Sequence, residues 1–274
     1  MAEGAVQGLP DFANPPVVEV VLGVQFRPIS GFQAPHIGLL WQALRKRFPR
    51  AEVHPPLGQQ TELFGGRPQP SAQVSFEFAP VPPTPRCWFL SEDHTQLIQV
   101  QQDRFIHNWR RIRPSEVYPR YPEIRSTFQG EIQDFCTFVA SERLGEVEPN
   151  QCEVTYVNHI ASNHGELSKV VTVWRCHFSD DFLRGPEAAN LTQRHLICDS
   201  SGRPLGRLHI AVHPAFSQED DQPIFVLTLT ARGAPRGPGL PGVFAFLDLG
   251  REWVVRGFAS ITTQEMHTVW GRNR

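Results

Sequence analysis

From Val17 to Phe26 the chain is an almost unbroken apolar, β-branched run, closed by Pro28. Such a run suits a strand that is covered on both faces or central in its sheet. Glu19 interrupts it, and a strand-end carboxylate paired with an arginine is preferred to a catalytic one. Ile37, Leu40, Trp41, Leu44 and Phe48 recur at helical spacing, predicting a helix opened by Pro35 and stopped by Pro49. A proline- and glycine-rich connection over 49–72 follows, and then Gln73 to Phe78 alternates as a strand. Cys87 to Leu90 and Thr95 to Trp109 read as a hairpin around Ser91-Glu92-Asp93-His94. Within the second arm, Leu97, Gln99, Gln101 and Asp103 share one face, while Ile98, Val100 and Gln102 share the other. Neither face is purely apolar, which points to a bulge or a functional surface.

The strongest helical stripe is Ile124, Phe128, Ile132 (with Glu131 beside it), Phe135, Phe138 and Val139. This helix starts near Tyr121 with Pro122 in its first turn, and Gly145 is a plausible C-terminal cap. Strands are predicted over 151–160, 169–178, 190–198, 206–212 and 224–231, with a turn at Asp199-Ser200-Ser201-Gly202. A second long helix runs from Val243 to Ser260 through Phe244, Leu247, Val254 and Phe258. Thr262 to Glu265 has capping-box spacing and opens a last short helix carrying Met266, Val269 and Trp270.

The predicted class is α+β: antiparallel sheets, each covered by a long amphipathic helix, in two related halves. Residues 1–14 form a flexible lead, 15–150 an N-terminal half and 151–274 a C-terminal half, the two packing as one unit. At 274 residues this is enough chain to bury a proper core.

Pro15-Pro16-Val17-Val18-Glu19-Val20, His107-Asn108-Trp109-Arg110, Tyr118-Pro119-Arg120-Tyr121, Glu153 to Ile160 (EVTYVNHI) and the closing helix to Trp270 form a combination across nearly the whole chain. In that combination the sequence resembles an uncharacterised, sporadically distributed bacterial protein family of similar length. The resemblance implies a cytoplasmic protein and one family unit, and it carries no activity. Sporadic occurrence adds a defence-linked assembly as a setting.

Composition narrows the classes further. A net charge of -2 advertises no global attraction to nucleic acid, so such binding would need a local patch. Five cysteines without a CxxC read as free thiols in a reducing cytoplasm. The start lacks a signal-peptide layout, and no apolar run reaches the roughly 20 residues needed to span a bilayer, so no membrane partner is expected.

Chemical signatures are sparse. His209 and His213 would share a strand face, and a turn near Gly202 would bring His195 towards His209; Cys176-His177 and Cys198 add candidate ligands. Solvated histidines outweigh a metal site, because no closed ligand set is visible. There is no Gly-x-Ser-x-Gly elbow and no Gly-Lys-Ser/Thr phosphate loop, and Cys136 reads as a core thiol. Glu92-Asp93-His94 fits a wet hairpin tip. No cofactor is predicted, and the balance leans away from an enzyme.

One surface stands out. Between Arg104 and Arg125 there are six arginines against two glutamates, interleaved with Trp109, Tyr118 and Tyr121. Guanidinium forks and large aromatics dominate interface hot spots and suit phosphate or carboxylate partners. Trp109, Arg110, Arg111, Arg113, Tyr118 and Arg120 are therefore the candidate site for a protein partner of a non-enzymatic adaptor or accessory subunit. Nucleic acid is the second option for this stretch. The internal alternative pairs Arg110 or Arg111 with Glu19 or Glu123 and closes the core with Trp109. A small-ligand pocket between sheet and helices is a further reading.

Overall fold

The apolar run at 17–26 becomes the central member of a nine-stranded sheet. The computed structural model describes residues 8–65, 84–161, 167–173, 182 and 188–273. In chain order its elements are β1 (Val17–Phe26), α1 (Ala34–Leu44), β2 (Arg50–His54), β3 (Arg86–Leu90), β4 (Gln96–Gln101), β5 (Arg104–Arg110) and α2 (Arg120–Ser141). They continue as β6 (Pro149–Ala161), α3 (Leu167–Val170), β7 (Leu191–Cys198), β8 (Pro204–Phe216), β9 (Pro223–Gly233), α4 (Gly239–Ile261) and α5 (Gln264–Val269). The strands lie in the order β2-β3-β4-β5-β1-β6-β9-β8-β7, every neighbouring pair antiparallel. The protein is thus α+β on one continuous sheet, joined at its middle by β1 and β6.

Strand alternation sorts the side chains onto two faces. Val20, Leu22, Val24 and Phe26 of β1 are buried on the face that also carries Phe105 of β5 and Val154 of β6. Against this face α2 sets Phe135, its ring 5.0 Å from that of Phe105. Phe128 of α2 meets Phe244 of α4 edge-on at 6.0 Å, so the two long helices touch. In α4, Gly250 lies against Val154 and Ala231, where a larger residue would hold the helix away from β6 and β9. The opposite face, through Glu19, Val21, Gly23 and Gln25 of β1, is the one that matters for the site.

Several expectations change. The connection after Pro49 contains a short edge strand, β2, followed by an extended segment. The supposed single arm 95–109 is two strands, because the chain turns at Gln102 and Asp103. That turn explains why no one face of the arm read as apolar. The α2 terminus is closed by Arg143 in a left-handed conformation (φ 55°), ahead of Gly145. Thr263 rather than Thr262 caps α5, accepting from the Met266 backbone. Lys169 sits in the short α3 and Val171 makes a bridge to Thr262, so the described part of 169–178 is not a strand. The predicted strand 73–78 lies outside the described residues.

The lead is held from Asp11 onward. Phe12 is buried against Phe258, His267 and Trp270, and the Ala13 and Asn14 amides donate to Gly271 and Trp270. No helix among the described residues is long and apolar enough to cross a membrane.

Candidate functional site

The arginine-aromatic stretch is split by strand geometry. Alternation along β5 sends His107 and Trp109 to the helix side and Asn108 and Arg110 to the other. Trp109 and Tyr118 are both buried, their rings 5.4 Å apart, so the aromatic half of the expected surface is core. The Tyr118 and Tyr156 hydroxyls lie 3.0 Å apart. Tyr121 donates to Asp248, and all three tyrosines of the chain line one cavity of about 70 Å³. Arg120 clamps the lead through Asp11 and the Phe12 and Ala13 carbonyls. Arg110 donates to the His94 carbonyl, and the Arg111 amide donates to Val18. Glu19 accepts from Asn108 at 2.7 Å rather than from an arginine. Of the six named residues, Arg113 alone is fully on the surface, beside Glu116.

The histidines separate too. In the β7–β8 register His195 pairs with Leu208 and His209 with Arg194, so the two imidazoles point to opposite faces of the sheet. The expected approach of His195 to His209 is therefore wrong by one residue of register. His209 instead meets Glu62 at 2.6 Å, and His213 is exposed. Among the described residues no group of three or more His, Cys, Asp or Glu converges as metal ligands would. Cys176 and His177 lie outside the described residues.

What the sequence did not reveal is a strap. Residues 55–65 run without regular secondary structure across the face of the sheet away from α2 and α4. Side chains from the strands supply the partners that its backbone requires. The Gln101 amide both accepts from the Leu57 amide (2.8 Å) and donates to the Leu57 carbonyl (2.9 Å). Gln25 accepts from Gln60, Gln151 accepts from Glu62, and Arg104 donates to the Gly58 carbonyl. The strap thus passes over β4, β5, β1 and β6. At its far end Glu62 receives Arg207 and His209 of β8, and Arg207 also holds the Leu63 carbonyl.

Beneath the strap is a cavity of about 130 Å³, lined among others by Gly23, Gln25, Gln60, Arg104, Gln151 and Arg232. That is well above the 10–15 Å³ or so that a single water needs. Gly23 leaves its floor open, since it puts no side chain between Ile106 and Glu153. Arg104 and Gln151 flank Gln25 in register and are only 8% and 5% exposed. Each keeps a buried donor without a partner: Nε of Arg104 and Nε2 of Gln151.

Electrostatics single out Arg104. Both of its hydrogen bonds go to uncharged oxygens, of Gln25 (2.7 Å) and Gly58 (2.9 Å). Of the nearby carboxylates, Glu153 pairs with Arg232 and Glu62 with Arg207 and His209, while the buried Asp103 accepts from the Gln101 amide and its charge acts on Arg104. Burial lowers the Arg104 pKa from its ordinary value, opposed by the charges of Asp103 and Glu153 and assisted by Arg232. For Glu62, burial pushes upward, but hydrogen bonds from His209 and Arg207 and the charges of His209 and Arg232 outweigh it. Its carboxyl is held below the ordinary value. Cys152 also borders the cavity, and burial pushes its thiol up to about 12, so it is no nucleophile at neutral pH.

The unsatisfied groups on these two residues are donors. A sequence signal did exist: Gln25, Gln99, Gln101 and Gln151 punctuate otherwise apolar strands at positions of one face. No family model, curated protein or solved structure matches the chain in the three comparisons made.

Proposed function

We propose that this chain is a non-enzymatic binding protein that takes a small molecule beneath the 55–65 strap. One observation carries the reading: a cavity of about 130 Å³ between strap and sheet is lined by polar side chains, among them Gln25, Gln60, Arg104 and Gln151. Small-molecule sites are concave and carry a few convergent polar groups, and this cavity presents such groups from three adjoining strands and the strap. The pocket lies on the sheet face opposite to the one the sequence suggested.

The test is native mass spectrometry of the purified chain after incubation with a dialysable extract of its host cells. A single adduct at one per chain, lost when Gly23→Ala narrows the cavity, is the expected result. No adduct, or one that Gly23→Ala leaves unchanged, overturns the reading.

A second reading, docking of an acidic protein partner by an adaptor, is favoured by the loop from Arg111 to Tyr118. There Ile112 and Val117 are exposed beside Arg113. Nucleic acid is the weaker occupant because Trp109 and Tyr118, which would stack bases, are inside. Arg113→Glu with Val117→Asp should abolish a nuclease-resistant association in pull-down, and an unchanged partner set removes this reading. The element order also supports two related halves, each opening on a central strand (β1 or β6) and closing on a long helix (α2 or α4).

A further inference from the structure

The cavity of about 70 Å³ on the helix side of the sheet is bordered by the lead, β1, β6, α2 and α4. It is several times the 10–15 Å³ or so that one water needs. We propose that it binds a small free carboxylic acid as its carboxylate, held by the Arg251 guanidinium and the Tyr118–Tyr156 hydroxyl pair.

The argument begins with Arg251 of α4, which is half-buried and lines the cavity. Among the described residues its side chain makes neither a hydrogen bond nor an ion pair. Its guanidinium carbon lies 5.4 Å from the centre of the Tyr121 ring, and a ring face supplies no oxygen to the five N–H donors. The carboxylates around it have cations of their own. Asp11 pairs with Arg120, Asp248 takes Arg125 through both oxygens, and Glu252 holds Arg256. Glu123, in the first turn of α2, is exposed and makes no ion pair with Arg251. Each paired carboxylate thus has its own arginine, and Arg251 is left over.

The hydroxyls add a second donor. Those of Tyr118 and Tyr156, 3.0 Å apart, share one hydrogen bond. Two hydroxyls carry two protons, so one O–H remains to donate. Burial raises the pKa of all three tyrosines, and the Arg251 charge opposes it at each, so the guanidinium is within electrostatic reach of these hydroxyls. They stay protonated at neutral pH. One cation and one neutral donor match the two oxygens of a carboxylate. A phosphate dianion would set its second charge against Asp11, which also lines the cavity. Phe12, Val17, Val255 and Phe258 complete the wall and accommodate a short apolar body.

Calorimetric titration with propionate, propionamide and inorganic phosphate, at ionic strength matched with chloride, tests the proposal. Propionate should bind saturably at one per chain, and the other two at least tenfold more weakly. Arg251→Gln should weaken propionate roughly tenfold or more, as loss of a charge-assisted bond does. Since the Arg251 side chain bonds to no other group, this variant should keep its melting temperature. Should it melt early, Tyr118→Phe combined with Tyr156→Phe carries the test: the double variant should bind several-fold more weakly, and either single variant, which keeps one hydroxyl proton, should lose less. Lys46→Gln removes an exposed cation just beyond α1 and should change nothing.

No saturable propionate binding, or binding that both Arg251→Gln and the double tyrosine variant leave unchanged, overturns the site. Propionamide binding as tightly as propionate overturns the anion, and phosphate binding as tightly overturns the carboxylate.

Discussion

His107 of β5 and Glu131 of α2 form a buried pair, Nδ1 to Oε2 at 2.7 Å, with the residues 1% and 3% exposed. It is a polar bond through the layer in which Phe105, Phe128 and Phe135 pack, and it fixes how α2 lies along β5. Arg47 reaches the other Glu131 oxygen at 2.6 Å from the end of the α1 segment. Removing one member leaves the other buried without its partner. Glu131→Ala should therefore destabilise the fold by about 3 kcal/mol, read as a lower urea midpoint. A shift under about 0.5 kcal/mol would show that the pair is dispensable.

Trp109 and Arg113 are close in sequence and opposite in role. Trp109→Ala empties a core site against Tyr118 and should lower stability by about 3–5 kcal/mol. Arg113→Glu alters an exposed side chain and should stay within about 0.5 kcal/mol. Equal effects in denaturant titrations would contradict the division of this stretch into core and surface.

The Glu62 clasp predicts an acid-labile strap. Because its carboxyl is held below the ordinary 4.5, the clasp contributes fully above that value and fades as pH falls through the depressed folded one. Protection factors of the 55–65 amides against hydrogen exchange should drop as pH falls below about 4.5, before the core opens. Glu62→Gln should show reduced strap protection already at neutral pH. Strap amides that keep their protection in Glu62→Gln would remove the clasp.

Cys152 should resist alkylation. Its thiol is buried and pushed up to about 12, so iodoacetamide at about pH 8 should label it only after denaturation. Rapid native labelling, localised by peptide mass mapping, would contradict its burial.

By itself the sequence determined the elements whose signal is local. The β-branched run of β1, the 3.6-residue stripes of α2 and α4, and the alternation of β8 and β9 each bury one face, and burial leaves its period in the residue order. An α+β class followed from these elements. The tertiary structure alone decided which strands adjoin, since register depends on partners far along the chain. One residue of register sent His195 and His209 to opposite faces, and alternation along β5 drew Trp109 into the core. The strap was invisible for the same reason. Residues 55–65 have no period of their own, and their hydrogen bonds are made by glutamine and arginine side chains of distant strands. The cavity beneath exists only where those strands and that segment meet.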